Sequence, residues 1–165
     1  MVVQSPERQL AVFIARYDPD VARTARACLG RVRKLVPGAI ELVYDNYNAL
    51  AIGFGPTERA SDVIVSIALF PRWVSLFFFR GTVLLDPDHL LKGSGNRARH
   101  IVLTDPKVLD SRAVKTLVQH ACRVIPRPCP KAVGVARSSS PFPPGSARVV
   151  LQSSWLEFLR VSVAT

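Results

Sequence analysis

Three apolar segments, 48–54, 63–70 and 73–79, follow one another with only Gly55-Pro56-Thr57-Glu58-Arg59 and Pro71-Arg72 as obvious punctuation. They are rich in β-branched and aromatic residues, and the punctuation is turn chemistry. Parallel strands need a crossover of about a dozen residues or more, usually a helix. Strands joined this tightly are expected to pair antiparallel through hairpins, which excludes a doubly wound α/β sheet. Arg80-Gly81 leads into a further apolar run, Val83-Leu84-Leu85. Arg99 to Leu103 reads as a later strand, and Ala147 to Leu151 as an edge strand.

Helical signals flank this run. Ser5-Pro6-Glu7 carries an N-cap residue, a first-turn proline and an acid, and opens a helix to about Arg16. Asp18-Pro19-Asp20 repeats the signal. From there Val21, Ala25, Cys28, Leu29, Val32, Leu35 and Val36 fall on one face at helical spacing, with Arg23, Arg26, Arg33 and Lys34 opposite. Pro37-Gly38 ends this helix, and Ala39 to Val43 reads as one more helical turn. Asp86-Pro87 starts a short helical turn through Leu91. Asp110 or Ser111 caps the last helix, whose Val114, Leu117, Val118, Ala121, Cys122 and Ile125 share a face until Pro126 stops it.

The expected fold is α+β, with N-terminal helices and a C-terminal helix packed on one face of an antiparallel sheet of about five strands. Residues 1–125 form that domain. Residues 126–165 are a Pro/Ser-rich loop and C-terminal extension packed on the same domain. Its apolar stretch Trp155 to Val163 suits a docked tail or a homodimer contact.

A chain of 165 residues can bury a core without metal or disulfide staples. Its three cysteines are odd in number and form no C-x-x-C pair. Cys28 and Cys122 fall on apolar helix faces as small core residues, and Cys129 between two prolines is the one expected to meet solvent. No segment reads as a secretory signal, and no apolar stretch approaches the roughly 20 residues of a membrane span. A cytoplasmic protein without a membrane partner is expected. Lys and Arg number 22 against 12 acids, a net charge of +10 that favours anionic partners, nucleic acid among them.

The densest polar cluster is Lys92-Gly93-Ser94-Gly95-Asn96-Arg97-Ala98-Arg99-His100. Glycines let backbone N–H groups approach an anion, and arginines clasp phosphate or carboxylate. Lys92, Arg97, Arg99 and His100 are therefore candidate ligands, the competing reading being a loop with solvated charges. The spacing is neither a phosphate-binding Walker loop nor a dinucleotide fingerprint. Asp45, Tyr47 and Asn48 sit at a strand entrance, where they could line a pocket mouth or simply shape a turn. Arg72 and Trp73 could stack a planar ligand or cover the sheet beside a turn. Arg23, Arg26 and Arg33 form a second, nucleic-acid-type surface. His89, His100 and His120 share no ligand spacing, and Gly93-Ser94-Gly95 is not a nucleophile elbow. No catalytic set, no metal site and no cofactor is expected.

Several ordered motifs carry a resemblance: Asp18-Pro19, Pro37-Gly38-Ala39-x-Glu41, Tyr44-Asp45-x-Tyr47-Asn48, Phe70-Pro71-Arg72-Trp73-Val74-Ser75-Leu76, Leu91-x-Gly93-x-Gly95 and Arg99-His100-Ile101. Over about residues 8–125 the chain resembles the YdhG-like family of small bacterial proteins, a domain family without an assigned common activity. The resemblance implies a two-layer fold similar to frataxin and, as one functional alternative, frataxin-like iron binding. Frataxins carry that role on an acidic first helix and strand edge, whereas the long helix here turns arginines outward. The first expectation is a non-catalytic binding protein for an anionic ligand, nucleic acid or a phosphorylated small molecule. The alternatives are iron handling and an enzyme with a small pocket near Tyr44–Asn48 and Trp73.

Overall fold

A computed structural model describes residues 5–46, 48–124 and, as backbone, 148–152. Tyr47, Cys129, Pro126 and the stretch Trp155 to Val163 lie outside the described residues. Helix α1 (Pro6–Ala15) starts where the sequence places it, with the Ser5 hydroxyl accepting the Arg8 N–H at 3.4 Å. Helix α2 (Pro19–Leu35) is capped by the Asp18 carboxylate, which accepts the Asp20 N–H at 2.9 Å. Its buried face is Val21, Ala22, Ala25, Cys28, Leu29 and Val32, so the apolar stripe legible in the sequence is the packed one.

Gly38 follows with φ +81°, a left-handed conformation that suits a residue without Cβ. It turns the chain from α2 into strand β1 (Ile40–Asn46). The expected extra helical turn over Ala39 to Val43 is thus a strand. Residues 41–44 of β1 are all buried, so the alternation that marks a half-exposed strand is absent from the sequence.

Strands β2 (Ala49–Gly55), β3 (Val65–Leu69), β4 (Val74–Phe78) and β5 (Arg99–Val102) continue the sheet. Each pairs antiparallel with its predecessor, as the short connections up to β4 require; β5 also pairs antiparallel with β4, although the long stretch 79–98 lies between them. A sixth strand, β6 (Arg148–Gln152), joins the free edge of β1 in parallel, giving the order β5-β4-β3-β2-β1-β6. The run Val83-Leu84-Leu85 forms no strand: Gly81–Val83 is a 3₁₀ turn and Leu85 is exposed. Asp86 opens a single turn, its carbonyl accepting the His89 N–H at 3.2 Å, which does not continue as a helix to Leu91. Its carboxylate also accepts the Leu90 and Leu91 N–H groups, at 3.0 and 2.7 Å. Helix α3 (Arg112–Val124) is capped by Ser111, whose hydroxyl accepts the Val114 N–H at 3.3 Å.

The three helices among the described residues lie on one face of the sheet. Leu10, Ile14, Leu29, Val32, Leu117 and Val118 pack there with Val43, Ile52, Ile67, Leu76 and Ile101 in one core. The opposite strand positions bury two smaller groups, one around Leu42 and Tyr44 and one around Ala68 and Phe77. No helix among the described residues is long and apolar enough to cross a membrane.

Candidate functional site

The outer face of α2 carries the predicted basic stripe, but its members do different work. Arg33 is committed: its guanidinium donates to both Glu41 carboxylate oxygens, at 2.6 and 2.8 Å, across the start of β1. That pair holds the Arg33 guanidinium above its ordinary pKa, hydrogen bonding to Glu41 being the main cause. Arg23 pairs with Asp20 at 2.8 Å in full solvent, an interaction of little energetic weight. Arg26 is exposed and lies between two clefts, lining both.

One cleft, of about 600 Å³, runs between α2 and the start of α3. Arg26, Arg31, Lys34 and Lys115 surround it, over a floor that includes Gly30. No atom lies within 4 Å of where a Gly30 side chain would begin, so this glycine leaves a notch in the ridge. The acid lining the cleft is Asp110, already held by Arg31 at 3.0 Å. With Arg31 offsetting Asp110, the three remaining cations Arg26, Lys34 and Lys115 make it positive. Arg31 and Lys115 escaped the sequence reading. Arg31 projects away from the most exposed line of α2, and Lys115 joins it only through the packing of α3.

The other cleft, of about 500 Å³, opens between α1 and α2 over Leu10, Leu29 and Phe54. Glu7 and Glu41 face Arg26 and Arg33 across it, so charge is balanced there.

The glycine-rich loop closes at the far edge of the sheet. Lys92 and His100 exchange backbone hydrogen bonds at 2.8 and 2.9 Å, and Gly93 sits at φ +116°. One guanidinium nitrogen of Arg99 is engaged within the loop, donating to the Gly95 and Ala98 carbonyls. Lys92 and Arg97 stay exposed. The His100 ring packs on Phe77, centroids 5.1 Å apart. Burial, and next the nearby Lys92 charge, lower its pKa from 6.5. Neutral His100 therefore stabilises the fold above that ordinary value, and the contribution is lost as pH falls through the lower folded value. Thermal unfolding of the wild type should lose more stability between about pH 7.5 and about pH 5 than that of His100→Phe, which keeps the stack without the titration. Equal losses would show that the ring titrates as freely folded as unfolded.

Trp73 is 47% exposed and stacks on Phe70 at 5.0 Å beside exposed Arg72. Asp45 and Asn48 are both exposed, Asp45 accepting Arg16 at 2.7 Å. Neither cleft is lined by Asp45, Asn48 or Trp73, so these residues are not gathered into one of them. Burial pushes the Cys28 and Cys122 thiols up to about 11, which keeps both protonated and poorly nucleophilic. Among the described residues no three His, Cys, Asp or Glu side chains lie close enough to share a metal ion. No family model, curated protein or solved structure matches the chain.

Proposed function

We propose that the protein is a non-catalytic binder of phosphate-bearing polyanions, holding a nucleic-acid backbone along α2 and the start of α3. The observation that carries this reading is the convergence of Arg26, Lys34 and Lys115 with Arg31 on the cleft at Gly30, whose acid Asp110 is already neutralised. Arg26 to Lys34 spans about 12 Å of helix, enough to meet about two successive phosphates. The cations stand at an open surface, not in a closed pocket. Such contacts grip the backbone and read little sequence.

Binding to short single- and double-stranded oligonucleotides across a salt series tests it. Replacing Arg26, Lys34 and Lys115 together with Ala should weaken binding about tenfold or more at low salt. It should also flatten the salt dependence by about one unit of slope per phosphate contact removed. If that triple variant binds as the wild type does while Lys92→Ala with Arg97→Ala does not, the glycine-rich loop is the site and the helix cleft is not. If neither set matters, the charge acts diffusely and the proposal fails.

A further inference from the structure

We infer, resting on the polyanion reading above, that Gly30 is the seat of the cationic cleft. The backbone of a bound strand lies directly against α2 at this residue, and the absent side chain sets how closely Arg26, Lys34 and Lys115 grip it. A glycine inside a helix weakens it. Glycine loses more backbone freedom on folding than alanine does and leaves the helix backbone more open to water. Gly30 lies in the interior of α2, which continues past it to Leu35 and is capped by Val36, so it is not the residue that ends the helix.

Nothing in the fold offsets that weakness. A Cβ at Gly55 would meet the Asp62 carbonyl oxygen at 2.8 Å, and one at Gly81 would meet the Arg99 backbone nitrogen at 2.7 Å. Those glycines are required by packing, and Gly38 by its φ of +81°. At Gly30 the backbone is helical, and no atom of the described residues stands within 4 Å of where a Cβ would be. The residue is exposed and lines the cleft. Packing and backbone geometry would both accept alanine there. Close approach of a ligand to the helix would not.

The position of Gly30 among the charges says what approaches. Arg26 precedes it by four residues and Lys34 follows it by four, so the three lie along one line of α2. Each cation stands about 6 Å along the axis from the glycine. Lys115 lines the same cleft from α3. A strand whose phosphates meet both Arg26 and Lys34 must pass over position 30. A side chain there would stand in its path and hold the strand off the helix. Attraction between charges falls with separation, and water and salt entering the gap screen what is left. Filling position 30 therefore strengthens the fold and weakens the complex while leaving every charge in place. A glycine kept for the fold alone would show the reverse.

The test uses the full chain with Gly30→Ala and Gly30→Leu, both good helix formers. The probe is a short oligodeoxythymidine strand, alone and paired with oligodeoxyadenosine. Gly30→Ala should raise the urea midpoint and weaken binding about threefold, and Gly30→Leu should weaken it about tenfold or more. The slope of log affinity against log salt should stay that of the wild type, since no cation is removed. Gly30→Leu binding within about twofold of the wild type overturns the inference. So does a lowered urea midpoint for Gly30→Ala, which would make the glycine a requirement of the fold. Should Gly30→Leu disturb folding, Gly30→Ala decides alone, and unchanged affinity counts against. The triple Ala variant of Arg26, Lys34 and Lys115, measured in parallel, separates the two levels. Lost binding in the triple with wild-type binding in Gly30→Leu leaves the cleft as the site and removes Gly30 from it. Wild-type binding in the triple overturns the cleft itself, and the role of Gly30 falls with it.

Discussion

Gly81→Ala is expected to destabilise the fold by about 3 kcal/mol, the upper range for forcing atoms into a packed site. A Cβ at this position would lie 2.7 Å from the backbone nitrogen of Arg99 and overlap its side chain as well. Backbone cannot rotate aside as a side-chain tip can. The 3₁₀ turn Gly81–Val83 is pressed against β5, and Thr82 N–H donates to the Arg97 carbonyl at 3.2 Å. Moving the turn therefore moves β5 and the glycine-rich loop to which Arg99 donates. Gly30→Ala is the matched control. Nothing stands within 4 Å of its Cβ, and an alanine inside a helix should gain about 0.5–1 kcal/mol. Urea unfolding of both variants should give midpoint shifts of opposite sign. A Gly81→Ala midpoint equal to the wild type's would mean that the turn does not pack on β5.

Arg33→Ala should cost about 2–3 kcal/mol. Glu41 is 6% exposed, and both its oxygens are satisfied by the Arg33 guanidinium. Removing the arginine leaves a buried carboxylate with neither its counter-charge nor those hydrogen bonds, a change that costs about 3–5 kcal/mol when both partners are fully buried. The Arg33 side chain is 44% exposed, so water softens the loss to the lower figure. The double variant Arg33→Met, Glu41→Leu should recover most of it, because no charge is then left to desolvate. Denaturant midpoints of the singles and the double close the cycle. A double variant as unstable as Arg33→Ala would locate the loss in packing of the arginine stem, not in the charge.

Several of the short sequence motifs have structural roles. Asp18-Pro19 caps α2, Gly38 reverses the chain, and Phe70-Pro71-Arg72-Trp73 turns β3 into β4 with Phe70 N–H donating to the Trp73 carbonyl. Such signals are local: each depends on a few neighbouring dihedrals and caps, so a linear reading reaches them. The same holds for the apolar stripes of α2 and α3. Strand β1 was not legible, because burial on both faces erases alternation. The candidate site divides in the same way. The basic line of α2 can be read from spacing, but Arg33 leaves it for Glu41, and one Arg99 nitrogen is engaged within its own loop.

By itself the sequence determined the α+β class, the antiparallel hairpins, the caps of α1 and α2 and the positive charge, since each follows from composition or from contacts between near neighbours. Only the tertiary structure decided which cations are free to act. Lys115 meets Arg26 and Lys34 because α3 packs beside α2, and Glu41 neutralises Arg33 because β1 starts beneath it. It also decided that β6 lies parallel to β1 and that the three described helices all pack on the same sheet face. These outcomes depend on residues far apart in the chain, whose meeting is fixed by packing of the whole core and leaves no mark in local spacing.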